Sequence, residues 1–248
     1  MTDITPPTAP APQVSIVVPV YNEQGAAADL AREIAAAFGD SPHEIIFVDD
    51  ASKDATRAEL VALKAELPRL RVLAHGANSG QSRAVRSGIL AARGQVIVTL
   101  DGDGQNDPAD APRLVQRLMS GPVKLALVGG ERVKRQDSAA KRVASRLANG
   151  IRKSLLKDEA NDTGCGLKVF RRDAFLLLPY FDHIHRYLPA LMIREGFDVA
   201  FEPVNHRPRT TGASKYTNLG RLWAALSDLL GVMWLNTRAR RPEPLSEL

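Results

Sequence analysis

Two carboxylates one residue apart, Asp101 and Asp103, follow directly on the apolar run Val96-Ile97-Val98-Thr99-Leu100. A β-branched run of this kind reads as a buried strand, and Gly102, Gly104 and Asp107-Pro108 read as its exit turn. In an extended segment residues i and i+2 point to the same side, so the two acids repel unless a cation lies between them. Hard oxygen donors suit Mg2+ or Mn2+, ions that commonly hold a substrate phosphate as well. In open α/β sheets ligands bind beyond the carboxyl ends of strands, which is where these acids stand. The stretch therefore points to a metal-dependent site for a phosphorylated ligand.

Three other readings compete. Asp and Gly are common in turns, and an isolated Asp-Gly-Asp is often no more than a solvated acidic loop. An EF-hand requires Gly at its sixth position and Glu at its twelfth, and Asn106 and Pro112 stand there instead. A phosphatase of the haloacid dehalogenase type also carries its nucleophilic Asp after an apolar strand. It normally has Thr or Val where this chain has Gln105, and its motif lies nearer the N-terminus.

Other strand ends carry similar chemistry. Tyr21 and Glu23 follow the apolar run Val14–Val20 and are placed to hold a base and its edge; alternatively Tyr21 packs and Glu23 opens a helix. Asp49-Asp50 closes a second run, Glu44–Val48, with Asp50 a candidate for a nucleobase or ribose and Ser52 or Asp54 a candidate helix cap. His75 to Ser82 is a loop of small residues that lets backbone approach a ligand. Arg209 and Lys215 flank Gly212, an arrangement suited to clamping phosphates.

Positioning these residues requires a succession of βα units and hence a mostly parallel sheet covered by helices. Helices are expected over Ala26–Phe38, from about Thr56 to Leu67, over Arg83–Ala92 with Gly94 as its C-terminal cap, and from Asp107 to Met119. Pro19 cannot donate to a strand ladder and is expected to mark the end of the first strand. Further strands are expected at Arg71–Ala74, Leu125–Gly130 and Val199–Val204, with a Gly-rich turn into a strand over Asp162–Phe170. The basic helical segment Ser138–Leu156, which includes Lys141, Arg142 and Arg146, is either a solvated face or a surface for anionic lipid. His183 and His185 are not at the spacing of a metal pair on one helix face, so ordinary core or surface histidines are expected. The last helix, Leu219–Leu235, has one broad apolar face with Arg221 and Asp228 on a narrow polar side, followed by Arg238, Arg240 and Arg241. It suits a membrane interface, or equally a partner or the domain itself.

The 248 residues are enough for one large domain. A net charge of +5 suits a phosphorylated ligand or an anionic membrane surface. With aromatics at 5% and no basic-aromatic interleaving, nucleic acid is not expected as a partner. A single cysteine, Cys165, excludes an intramolecular disulfide framework and a cysteine zinc cluster. No secretory signal is legible at the N-terminus, and no apolar run is long enough to span a bilayer. Residues 1–13, rich in Pro, Thr and Ala, are expected to be a disordered tail, followed by a domain over 14–218 and a terminal segment over 219–248.

In order, Val-Pro-Val-Tyr-Asn-Glu at 18–23, Val-Asp-Asp-Ala-Ser at 48–52, Asn-Ser-Gly-Gln at 78–81 and Asp-Gly-Asp-Gly-Gln at 101–105 resemble a family 2 glycosyltransferase with the GT-A fold. Cys-Gly-Leu-Lys-Val-Phe-Arg-Arg at 165–172 and Arg-Thr-Thr-Gly-Ala-Ser-Lys-Tyr at 209–216 resemble its polyprenyl-phosphate branch, which includes dolichyl-phosphate mannose synthases. The resemblance implies an α/β, Rossmann-like mixed sheet. It also implies inverting transfer of a sugar from a GDP- or UDP-sugar donor to a polyprenyl phosphate, at the cytoplasmic face of the membrane. Pro19, Tyr21, Glu23, Val48 and Asp50 would surround base and ribose. Asp101, Asp103 and Gln105 would hold Mg2+ or Mn2+, with Asp103 taking part in catalysis. Arg209 and Lys215 would close over the diphosphate, and Arg132 and Arg142 would hold the acceptor phosphate. Many relatives carry membrane-spanning helices after this domain; with none legible here, the expected attachment is peripheral, through 219–241 to a membrane surface or a membrane protein. A basic protein that merely binds anionic lipid or glycan is the non-enzymatic alternative.

Overall fold

The computed structural model describes residues 11–133, 150, 152–156, 158, 160–208 and 218–239, with only the helical path given for 218–225. Its elements run β1 (Val14–Val20), α1 (Ala26–Phe38), β2 (His43–Asp49), α2 (Thr56–Leu63), β3 (Leu70–Ala74), α3 (Gln81–Ala91), β4 (Val96–Thr99) and α4 (Ala111–Met119). They continue with β5 (Leu125–Arg132), β6 (Lys168–Arg171), α5 (Arg172–Leu176), α6 (Leu188–Arg194), β7 (Asp198–Val204) and α7 (Asn218–Thr237).

The strands form one seven-stranded sheet in the order β3-β2-β1-β4-β6-β5-β7. β6 is antiparallel to both β4 and β5, and every other adjacent pair is parallel. All seven residues of β1 and of β2 are buried, as expected of central strands covered on both faces. Ile16, Val18 and Val20 face one core with Leu30 and Ile34 of α1 and Leu114 of α4. Val17, Ile46, Val48 and Ile97 face the other, with Val85 and Ile89 of α3 and Leu191 of α6.

β1 runs over Val14–Val20 as expected, with Pro19 one residue from its end and paired with Val48 of β2. Pairing with β4 stops at Val17↔Thr99, so one side of β1 is already open where the proline stands. α3 starts two residues early, at Gln81, and ends at Ala91; Ala92 is extended, so Gly94 is not its cap. Gly94 is needed for close approach instead, because a Cβ there would lie 2.8 Å from the Ser15 nitrogen.

At this amino-terminal edge Glu44, only 4% exposed, ties three elements together. It accepts hydrogen bonds from Ser15 Oγ (2.7 Å), Arg93 N (2.6 Å) and Arg71 Nη1 (2.6 Å). Burial pushes its carboxyl pKa up, but these hydrogen bonds and the Arg71 charge outweigh that and leave it below the ordinary value. A depressed native pKa adds stability that is present above the unfolded pKa and lost as pH falls through the native one. Glu44→Gln is therefore expected to cost about 1–3 kcal/mol at neutral pH. In urea titrations the gap from wild type is expected to narrow below the ordinary carboxylate range; a gap constant down to acid pH would contradict the account.

Candidate active site

In a parallel sheet all carboxyl ends meet at one edge, and the order β2-β1-β4 makes a topological switch point beside β1. The reversed strand β6 brings its amino end to the same edge, since Lys168 pairs with Thr99. The turn 162–167 thus lands beside Asp101, although about sixty residues separate them in sequence.

The loop after β1 is fastened to the start of α2. Asn22 N donates to Ser52 Oγ (2.9 Å), Lys53 N to Asn22 Oδ1 (2.7 Å) and Glu23 N to Thr56 Oγ1 (2.9 Å). Asp50, 3% exposed, holds the loop after β3. Its Oδ1 pairs with His75 Nδ1 (2.7 Å) and accepts from Ser79 N (2.9 Å), while Oδ2 accepts from Gly80 N (2.8 Å). That loop delivers the first turn of α3 to the site. Gln81 Nε2 donates to Asp101 Oδ1 (2.8 Å), and Ser82 Oγ lies 2.7 Å from His185 Nδ1.

A cavity of about 350 Å³ opens here, with Pro19, Asp101, Arg132, Asp162, Lys168 and His185 in its walls. Arg132, at the end of β5, makes a two-pronged ion pair with Asp162: Nε to Oδ2 at 2.6 Å and Nη2 to Oδ1 at 2.7 Å. Burial and the Asp103 charge push the Asp101 carboxyl pKa up, against Lys168, Arg132 and the Gln81 hydrogen bond. Burial, reinforced by Lys168, Arg186 and His183, pushes His185 well below its ordinary value, so its imidazole is neutral at pH 7.

The donor set fits a divalent cation. Asp101 is crowded against the like charge of Asp103, the repulsion that a cation removes. Gly166 keeps the space clear, since a Cβ there would lie 2.3 Å from Asp101 Oδ2. Among the described residues no three His, Cys, Asp or Glu side chains group as a closed metal cage. Two acids and an amide would leave open positions for substrate oxygens, the pattern usual for Mg2+ beside phosphates.

Of the residues expected from the sequence, Pro19, Asp101 and Arg132 line the cavity. Tyr21, Glu23 and Asp50 lie on loops of the same edge, and Val48 is buried in β2 opposite Pro19. Gln105 N donates to Asp103 Oδ1 (3.2 Å), and Gln105 O accepts from Arg207 N (2.9 Å). Arg142, Arg209 and Lys215 lie outside the described residues. Sequence reading gave no role to Gln81, Asp162, Lys168 or His185. Asp162 and Lys168 lay in a noted Gly-rich turn, whereas nothing local marks His185, whose partner Ser82 is 103 positions away.

Residues 15–177 match the model of glycosyl transferase family 2. The chain belongs to that family. Membership sets aside the phosphatase reading of the Asp101 stretch. The family 2 chain is 34% identical over 238 residues to a dodecaprenyl-phosphate galacturonate synthase of Rhizobium johnstonii, covering 93% of this chain and 69% of the relative. It is 35% identical over 221 residues to an undecaprenyl-phosphate 4-deoxy-4-formamido-L-arabinose transferase of Edwardsiella ictaluri, covering 88% and 66%. The family 2 chain thus spans about two thirds of the length of these relatives. Among solved structures, glucosyl-3-phosphoglycerate synthase of Mycobacterium tuberculosis, in complex with Mn2+, UDP-glucose and glycerol 3-phosphate, superimposes with a TM-score of 0.67 at 19% identity, covering 95% of this chain and 82% of that one. A mannosyltransferase from Pyrobaculum calidifontis with GDP-Man and Mn2+ gives 0.65 at 19% identity, covering 94% and 66%. These two likenesses establish the GT-A-like fold.

Proposed function

We propose that this family 2 glycosyltransferase moves a sugar from a nucleotide-sugar donor to a polyprenyl phosphate, with inversion at the anomeric carbon. The observation that carries the reading is the cavity itself, whose lining brings the Asp101 carboxylate together with the Arg132 and Lys168 cations. It offers a cation site for the donor diphosphate and positive charge for an acceptor that is already an anion. Both curated relatives are named for polyprenyl phosphates. Their names differ in the sugar, one anionic and one neutral.

Mg2+ or Mn2+, held by Asp101 and Asp103 with Gln105 beside them, would stabilise negative charge on the departing nucleoside diphosphate. Gln81 fixes the rotamer of Asp101. Asp50 fixes the loop that carries Gln81, and its place at the switch point suits the donor's base or ribose as well. Arg132, oriented by Asp162, and Arg142 would hold the acceptor phosphate, and Arg209 and Lys215 the diphosphate. A phosphate monoester is anionic at neutral pH, so its oxygen attacks the anomeric carbon without a general base. The neutral His185 takes no proton and leaves the cavity's positive charge to Lys168, Arg132 and Arg186. The test is purified protein with a panel of GDP- and UDP-sugars, undecaprenyl phosphate, and Mn2+ or Mg2+. Glycolipid formed from at least one donor is expected; metal-dependent donor hydrolysis with no lipid product would count against the acceptor.

The acceptor chemistry brings the protein to a lipid surface, and α7 offers the means. No helix among the described residues is long and apolar enough to cross a membrane. The sequence pattern suggested one apolar face, whereas apolar residues occupy two sides of α7. Leu229, Met233 and Leu235 pack on the core, while Leu226, Leu230 and Trp234 are 46%, 65% and 58% exposed at four-residue spacing. Arg238 lies 5.7 Å over the Trp234 ring. This outward stripe beside a cation supports peripheral attachment through the 219–241 segment. Replacing Leu226, Leu230 and Trp234 by Ser is expected to weaken sedimentation with anionic vesicles by at least about tenfold. Donor hydrolysis in solution is expected to persist; unchanged sedimentation would remove α7 from the interface.

A further inference from the structure

We propose that Lys168 binds an anionic oxygen of the substrates inside the cavity, either a phosphate oxygen of the acceptor or a carboxylate on the donor sugar. The inference rests on the transferase reading and extends it to a residue with no assigned role. Lys168 opens β6, is 5% exposed and lines the cavity. Its ammonium donates to the carbonyls of Cys165 and Thr163 (3.4 Å for the latter). An ammonium carries three N–H donors, so two carbonyls leave one over.

The neighbouring charges give that third donor its purpose. Arg132 shares the wall, but two of its N–H groups are committed to Asp162. Among the described residues no ion pair links Lys168 to a carboxylate, and Asp101 and Asp162 act on it only at longer range. Burial pushes its pKa below the ordinary lysine value despite the nearby Asp101 and Asp162 carboxylates. A buried ammonium without a close counter-ion is costly unless something else supplies the charge. A substrate oxyanion entering the cavity does so, and the carbonyl pair holds the amine in place beforehand.

The test uses the full chain with Lys168→Met, Lys168→Gln and Lys168→Arg, varying donor and acceptor independently. Calorimetry with farnesyl phosphate, and separately with UDP and GDP, accompanies the kinetics. Lys168→Met is expected to raise the KM for polyprenyl phosphate at least tenfold and weaken farnesyl phosphate to match. Nucleoside diphosphate affinity should stay within twofold, and Arg should recover most of the loss. A rise confined to the KM of a uronic-acid donor, absent with a neutral hexose donor, supports the carboxylate as the source instead. Lys168→Gln keeps amide donors for the two carbonyls and loses the charge, so it carries the test should the Met variant not fold. Unchanged KM values and farnesyl phosphate affinity in either neutral variant overturn the proposal and leave Lys168 as a tie for the 163–165 turn. Wild-type protein that transfers no sugar overturns the transferase reading; the farnesyl phosphate comparison still judges Lys168.

Discussion

Asp101→Asn is expected to lower sugar transfer by about 10²–10³-fold, because it removes one of the two charges that would seat the cation beside the leaving diphosphate. The side chain sits in the cavity wall with its Oδ1 held by Gln81, so the loss is one of charge more than of shape. The amide also leaves the fold without a repulsive pair, since burial and Asp103 both oppose the charged form. Thermal stability without metal is therefore expected to be unchanged or slightly higher, and Mn2+ is expected to stabilise wild type but not the variant. Initial rates across a Mn2+ titration, with melting curves alongside, check both halves. An Asp101→Asn variant that keeps full activity and the same Mn2+ dependence would mean that the cation is held elsewhere.

Gly166→Ala is expected to be nearly as damaging without touching a charged group. A Cβ at that position would lie 2.3 Å from Asp101 Oδ2, 2.4 Å from its Cγ and 2.7 Å from Asn106 Oδ1. The backbone cannot easily retreat, because Thr99 Oγ1 donates to the Gly166 carbonyl at 2.9 Å and β6 is in register with β4 from the next residue but one. Asp101 must move instead. Displacing a catalytic group by about 1 Å can cost roughly 10²-fold, and overpacking a filled site adds about 1–3 kcal/mol of destabilisation. The expected signature is a fall in kcat with an altered Mn2+ requirement, while UDP or GDP affinity measured without metal changes little. If transfer proceeds at the wild-type rate, Asp101 does not need the position that it occupies here.

The family relationship was legible because its marks are local. Each of Tyr21-Asn22-Glu23, Asp49-Asp50 and Asp101-Gly102-Asp103 directly follows an apolar run, and a strand's exit can be read from a few consecutive residues. The limits of α1 were legible for the same reason, since Leu30, Ile34 and Phe38 repeat at helical spacing before Gly39. Gly94 misled because a glycine near a helix end resembles a cap, while its actual constraint, contact with Ser15, comes from a strand 79 positions away. Asp50 read as a ligand contact, and only the folded chain has it fastening the His75–Gly80 loop that aims Gln81 and Ser82.

The βα succession, the family and the acids at the strand ends were thus written in the chain, all of them properties of short consecutive stretches. Only folding revealed that β6 runs against its neighbours, and with it the cavity's far wall. No local pattern encodes strand direction, which depends on the path of the chain between β5 and β6. That reversal sets Asp162 on Arg132 and Lys168 near Asp101, pairs that exist only because distant segments of chain close on one edge of the sheet.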